Sequence, residues 1–311
     1  MGFDVQPALN GVTVLLNLAL ALAVGAGLAS LWLAAGTSDW AWGQLARCRA
    51  LQLFAIAVGM LAMCALLLLV AASMAEVPIG EAGEAVRTML AESHFGMAWL
   101  GGMGALAAAA LAAAIRTPVR WRRSLAWLNL FAIAGFFYTR SMVSHAAADG
   151  DLNPAIVADW FHLCLVSAWV GVVFIAAFRT LAGPLQPEGR ADAARYIGKL
   201  SLCATVALAG IGATGLFGAW HKLGSLASAA GSDYGKVLAV KLALVVLAVV
   251  LGGYNRFIAM PALLKELGNT GKREVPTLPT FKLVLRIEAV VLLAVLVCAA
   301  LLSATAPPAA G

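Results

Sequence analysis

Residues 51–75, with the sequence LQLFAIAVGMLAMCALLLLVAASMA, contain no charged side chain and are long enough to cross a lipid bilayer as one helix. The rest of the chain has the same character, since its 311 residues are 62% hydrophobic and only 12% charged, with a mean hydropathy of +0.92. A soluble domain needs far fewer apolar residues, so this composition indicates a protein that crosses the membrane several times. We predict eight membrane-spanning helices, over residues 10–35, 51–75, 94–115, 124–144, 155–179, 199–220, 234–257 and 282–305.

The connections between these stretches are short. The longest polar connection, residues 256–282, is too small to fold independently. We therefore expect an all-α fold, a bundle of eight transmembrane helices that forms a single transmembrane domain over residues 1–311.

Lys and Arg are concentrated in alternate connections, and connections rich in these residues stay in the cytoplasm. The basic side carries Arg47 and Arg49; Arg116, Arg120, Arg122 and Arg123; Arg179, Arg190, Arg195 and Lys199; and Arg256, Lys265, Lys272, Arg273, Lys282 and Arg286. The opposite connections are mainly acidic, so both termini are predicted to be periplasmic. No basic residue precedes the first apolar run, which is therefore interpreted as a true span rather than a cleaved signal peptide. The basic connections also explain the net charge of +6, which gives no reason to expect a nucleic-acid partner.

All four histidines are predicted to lie at the outward ends of four different helices: His94, His145, His162 and His221. Three of them have a second potential ligand three residues away, on the same helix face: Met97 beside His94, Met142 beside His145 and Asp159 beside His162. Imidazole and thioether groups together suit copper, particularly Cu(I). The pattern predicts an outward copper site, to which His221 is the weakest addition because no Met or acid shares its helix face. The alternative is that these histidines are amphipathic residues at the membrane–water boundary.

Two intramembrane acids are open to more than one interpretation. Asp159 could be a ligand, a partner that orients His162, or the counter-ion of Arg140 or Lys241 at similar depth. Glu288 could be an inner relay for a cation, but an ion pair with Arg286 or with another helix is the preferred interpretation.

The chain has five cysteines, an odd number, and no Cys-x-x-Cys pair, so a disulfide framework is not expected. It also has no Gly-x-x-x-x-Gly-Lys-Ser/Thr loop for ATP. We expect a protein that is not an enzyme and that works by exchange of copper ligands.

Three motifs occur in order in the second half of the chain. They are SHA at residues 144–146, DWFH at 159–162 followed by WVG at 169–171, and YGKVL at 234–238, which leads through Lys241 to Asn255 and Arg256. These motifs resemble the copper resistance protein D family, known as CopD or PcoD, and the resemblance is strongest over residues 140–260. The family often has Gly where Ser144 stands.

The resemblance implies a multi-pass protein of the bacterial inner membrane that moves copper from the periplasm toward the cytoplasm. It also implies a small periplasmic copper-binding protein of the CopC type as partner. Carried over residue by residue, it supports His145, Asp159 and His162 as site residues, whereas His94 depends on the outward position of the histidines.

Three functions from different classes remain open at this point. The first and best supported is copper transport across the inner membrane after capture at the outward His/Met site. The second is electron transfer by haem bound between histidines of neighbouring helices, although the predicted inner half has no histidine. The third is a periplasm-facing copper receptor or assembly factor that does not transport the ion.

Overall fold

The computed structural model describes residues 5–115, 119–144, 147, 150–222, 232–269 and 274–304. In this part the chain is helical and contains no strand. Its α-helices are α1 (Gln6–Leu33), α2 (Asp39–Ala75), α3 (Gly83–Glu92), α4 (His94–Ala114), α5 (Val119–Ser141), α6 (Pro154–Ile175), α7 (Arg190–Lys222), α8 (Asp233–Tyr254), α9 (Met260–Gly268) and α10 (Thr277–Ala304). Short π-helical segments, Ala176–Thr180 and Asn255–Ala259, follow α6 and α8.

Seven helical segments of the described chain are long and apolar enough to cross a membrane. This confirms an all-α protein with several membrane-spanning segments. The predicted span over residues 124–144 corresponds to α5, which is not among the seven. Arg120, Arg122 and Arg123 lie in its first turns, and Asn129 and Arg140 lie further along it, so its composition is more polar. The eighth span and the periplasmic termini remain predictions.

Several helices extend beyond the predicted spans. α2 begins at Asp39 rather than at residue 51, and α7 begins at Arg190 rather than at residue 199. Hydropathy locates only the apolar part of a helix, whereas a polar helical extension continues until the backbone finds a cap. For α2 that cap is Ser38, whose side chain accepts a hydrogen bond from the Ala41 N–H.

Asp192, near the start of α7, fixes this end of α2. Its side chain is buried, and Oδ2 accepts from the Thr37 N–H at 3.1 Å, the Ser38 N–H at 2.9 Å and the Ser38 hydroxyl at 2.5 Å. Asp192 also forms an ion pair with Arg195. A single carboxylate therefore joins the α1–α2 connection to α7.

Replacing Asp192 with Ala is expected to lower the stability of the protein by about 2 kcal/mol, because three part-buried N–H and hydroxyl donors lose a charged acceptor. Asp192→Asn keeps an acceptor oxygen and should have a smaller effect. Thermal unfolding in detergent measures both, with the exposed Glu188→Ala as the matched control. Equal midpoints for Asp192→Ala and Glu188→Ala would contradict this role.

Two hydrophobic clusters form the interior, and α1 contributes to both. One cluster joins α1 to α6, α7 and α10 through residues such as Val172, Ile197 and Leu292. The other joins α1 to α2, α4 and α5 and includes Ile56 and Phe136. α1 is thus the central helix of the bundle.

α1 and α6 cross at two glycines. A Cβ atom added to Gly171 would overlap the carbonyl of Ala21 and lie 2.8 Å from the Gly25 nitrogen, and a Cβ on Gly25 would lie 2.6 Å from the Gly171 Cα. The backbones of the two helices therefore touch directly, as small residues permit in membrane helix pairs.

Two buried amides link the four helices of the second cluster. Gln52 on α2 donates from Nε2 to the Ala23 carbonyl of α1 at 3.1 Å and to Asn129 Oδ1 of α5 at 2.7 Å. Asn129 in turn donates from Nδ2 to the Ala109 carbonyl of α4 at 2.6 Å. Hydrogen bonds of this kind hold helices in a fixed arrangement where water does not compete.

Candidate outward copper site

His94 is the first residue of α4, and its position is fixed by the cap of that helix. The Ser93 hydroxyl accepts a hydrogen bond from the Gly96 N–H at 3.0 Å. His94 Nε2 lies 2.9 Å from Asp151 Oδ2, and the two side chains are 46% and 44% exposed. The Tyr138 hydroxyl of α5 donates to the Asp151 carbonyl at 2.8 Å. The imidazole therefore lies at the surface beside a carboxylate that is attached to α5.

Asp159, one turn before His162 on α6, is bound by the end of α5. Its Oδ2 accepts from the Ser141 hydroxyl at 2.9 Å, and the Ser144 hydroxyl lies 3.3 Å away. Arg140 interacts electrostatically with Asp159 and donates from Nη1 to Asn17 Oδ1 of α1 at 2.6 Å. These contacts favour a carboxylate that holds α5 against α6, one turn from His162.

His162 is half-buried between α6 and α7. If the Thr214 hydroxyl donates its one hydrogen to the Gly210 carbonyl, 2.8 Å away, its oxygen accepts from His162 Nδ1–H at 2.9 Å. In that tautomer the lone pair is on Nε2, the nitrogen that would bind a metal. A hydrogen bond from one ring nitrogen to a neighbouring oxygen is the usual way in which a metal-binding histidine is oriented.

The structure places the two described histidines at different depths. His94 opens α4 at the surface, whereas His162 is eight residues beyond Pro154 in α6, about 12 Å along the helix. Among the described residues no three His, Cys, Asp or Glu side chains come close enough to share one metal ion. His94 with Asp151 and His162 with Thr214 therefore form separate pairs, the first exposed and the second half-buried.

The remaining predicted ligands are Met97, Met142, His145 and His221. Met97 follows His94 by three residues and is 67% exposed, and Met142 is partly buried in the turn after α5. His145 lies outside the described residues, directly after Ser144. His221 is in the last turn of α7, and its side chain also lies outside the described part of the structure.

Two partners of the histidines were not singled out as site residues from the sequence. Asp151 is in the connection before α6, and Thr214 is in α7, 52 residues after His162. Thr214 precedes His221 by seven residues, so the two lie on one face of α7, two helical turns apart. This spacing is the sequence signal that could have identified Thr214 as a residue on the same helix face as a predicted ligand.

The exposed pair of His94 and Asp151 is expected to add less than about 1 kcal/mol to stability, because both groups remain solvated. Asp151→Ala should therefore leave the thermal midpoint in detergent nearly unchanged while it weakens copper binding at His94. Loss of folding on this substitution would mean that the His94–Asp151 pair has a structural role and does not serve as a site for an incoming ion.

Comparison with known proteins adds independent information. A model described as Copper resistance protein D matches residues 194–302, and a model described as Copper resistance protein D-like, N-terminal domain matches residues 4–154. Searches among curated proteins and among solved structures gave no match. Because the two matching segments lie in order and cover the membrane helices on both sides of α6, the chain belongs to the copper resistance protein D family, whose members are membrane proteins that handle copper.

Proposed function

We propose that this protein captures copper at its periplasmic surface and passes it through the helix bundle toward the cytoplasm. In this proposal α5 is the eighth span, both termini are periplasmic, and the membrane is the bacterial inner membrane. The basic connections on one side and the acidic connections on the other support this orientation.

The observation that carries the proposal is the geometry of His162. This imidazole is half-buried between two membrane helices, and Thr214 holds its Nδ1–H so that Nε2 has the lone pair a copper ion needs. A hydrogen bond of this kind fixes the orientation of the ring, as is usual for a histidine that binds a metal.

The exposed His94 with Asp151 provides the first contact for an incoming ion, and Met97 and Met142 offer thioether ligands on the same side. His162 lies deeper, one turn from Asp159, whose carboxylate interacts with Arg140 and accepts from Ser141. In this proposal His145, which follows Ser144, and His221, in the last turn of α7, complete the ligand set.

Copper is the transported ion, and the chemistry is exchange of ligands. The protein is not an enzyme in this proposal, because each step replaces one donor on copper with another and makes no other bond. A small periplasmic copper-binding protein of the CopC type delivers the ion, and the acidic connections of the outer face would meet a basic surface on that donor.

Uptake into sealed vesicles tests the function. The purified protein is reconstituted, Cu(I) is supplied outside under anaerobic conditions, and copper inside is measured against protein-free vesicles. Uptake above that control supports transport, and stoichiometric binding without uptake would indicate a receptor instead. A Soret absorption band in the purified protein would favour haem-based electron transfer and overturn the proposal.

A further inference from the structure

Glu288 is a buried acid that the outward copper site does not use. It lies on α10, eleven residues after Thr277, and its side chain is 3% exposed. Trp169 of α6, 5% exposed, donates from Nε1 to Glu288 Oε1 at 3.3 Å. Within the described residues no Lys, Arg or His lies within ion-pair distance of it, so the predicted pair with Arg286 is not formed there. A carboxylate with one neutral donor in an apolar interior is strongly unfavourable, which favours a bound proton or cation.

α8 provides both the space for this carboxyl group and a second polar group. A Cβ atom on Gly252 would lie 3.2 Å from Glu288 Oε1, so the carboxyl group lies directly against the α8 backbone. Asn255 is one turn further along the same face of α8, and its side chain is 5% exposed. Among the described residues neither its Oδ1 nor its Nδ2 has a hydrogen-bond partner. Asn255 also opens a π-helical turn, a feature that is frequent at functional sites.

The two groups are chemically complementary. A protonated Glu288 can donate its hydroxyl to Asn255 Oδ1 while Oε1 accepts from Trp169, and an ionised Glu288 can accept from Asn255 Nδ2 once the amide turns. Two oxygens are poor ligands for Cu(I) but suit a proton.

α6 links this acid to the outward site. Trp169 follows His162 by seven residues, which places the two side chains two turns apart on nearly the same face, about 10 Å along the helix.

The titratable groups on the helices packed against α10 are few. α1 has none, Arg256 after α8 donates to Ser201, and Glu266 of α9 accepts from Thr277. The others are Asp159, His162 and Cys164 on α6, Arg179 after α6, Asp233, Tyr234, Lys236, Lys241 and Tyr254 on α8, Lys265 on α9, and Lys282, Arg286 and Cys298 on α10 itself.

We propose that Glu288, with Asn255 and Trp169, is a proton-binding site in the inner half of the bundle and that its proton exchanges with the inner water as copper passes. Only the O–H bond of the carboxyl group forms and breaks, and the proton moves between Glu288 and water. The coupling to copper rests on the proposed transport function, whereas the proton site itself does not.

Infrared spectroscopy of the purified protein tests the proton site without any transport. The wild type should show the carbonyl stretch of a protonated carboxylic acid at neutral pH, and Glu288→Gln should lose that band. Asn255→Ala should shift the band because it removes the proposed acceptor of the Glu288 hydroxyl. The exposed Glu188→Gln is the matched control and should leave the band unchanged. A wild-type spectrum without the band, or a band that persists in Glu288→Gln, would overturn the proposal.

Uptake by vesicles then tests the coupling. Copper uptake should depend on inside pH in the wild type and lose that dependence in Glu288→Gln. The same pH profile in both proteins would overturn the coupling. A wild type that takes up no copper would refute the transport function and, with it, the coupling, and the infrared result would still decide the proton site.

Discussion

Gly171→Ala is expected to disrupt assembly of the bundle, although it adds only one methyl group to a helix. The new Cβ would overlap the Ala21 carbonyl and approach the Gly25 nitrogen to 2.8 Å, and backbone atoms cannot move aside as a flexible side chain can. Overpacking a tight interior usually costs about 1–3 kcal/mol, and a backbone clash at the central helix pair should reach the upper end or beyond. The expected result is a sharply lower yield of monodisperse protein and a lower thermal midpoint in detergent.

Gly104→Ala is the matched control for this substitution. Gly104 is also within a membrane helix, but a Cβ atom there would meet nothing within 4 Å. Ala should be neutral or stabilise the helix by about 0.5–1 kcal/mol through lower chain entropy. Similar midpoints for Gly171→Ala and Gly104→Ala would show that α1 and α6 are not in direct backbone contact.

Loss of copper binding is the expected result for His162→Ala, which should hold about one copper ion fewer per protein after anaerobic Cu(I) loading. Thr214→Val should keep the imidazole but remove its hydrogen-bond acceptor, and affinity should fall about 10–100-fold, as is usual when the partner of a ligating histidine is lost. Thr214→Ser retains a hydroxyl group and should bind nearly as the wild type does.

Thr205→Val is the matched control on the same helix, because the Thr205 hydroxyl is exposed and bonds only to the Ser201 carbonyl among the described residues. Metal content and a competition titration with a Cu(I) chelator measure these four variants and His145→Ala. Unchanged copper content in both His162→Ala and His145→Ala, with intact folding, would mean that the outward histidines do not hold copper.

Much of the helical layout could be predicted because hydropathy reports burial in lipid directly. Seven of the predicted stretches correspond to helical segments that can span a membrane, and α4 begins at His94 as predicted. The polar parts could not be predicted in this way. α3 is a helix in the acidic outer connection, and Asp192 extends the ordered structure beyond the apolar core of α2 and α7.

The contacts of the site were harder to predict than its residues. Each helix can turn about its axis, so the sequence placed His162 and Asp159 on one face of α6 but did not identify the side chain on another helix that meets His162, which is Thr214. For Asp159 the sequence offered Arg140 or Lys241 as counter-ion, and the structure has the interaction with Arg140. For Glu288 the sequence favoured a charged partner, whereas the described structure provides the neutral indole of Trp169.

The amide pair of Gln52 and Asn129 has a mechanical consequence. Together with the contact of Gly25 and Gly171, it makes one rigid body of five helices, α1, α2, α4, α5 and α6. Gln52 and Asn129 join α1, α2, α4 and α5 by hydrogen bonds, and the two glycines bring the backbones of α1 and α6 into direct contact. α7 and α8 bury only 11% and 6% of their most apolar windows, so a hinge motion that opens the bundle is expected to displace them first. His162 belongs to the rigid body and Thr214 to the displaced one. The same displacement would therefore separate the Thr214 hydroxyl from the His162 imidazole and, in the proposed transport, weaken the binding of copper at that imidazole.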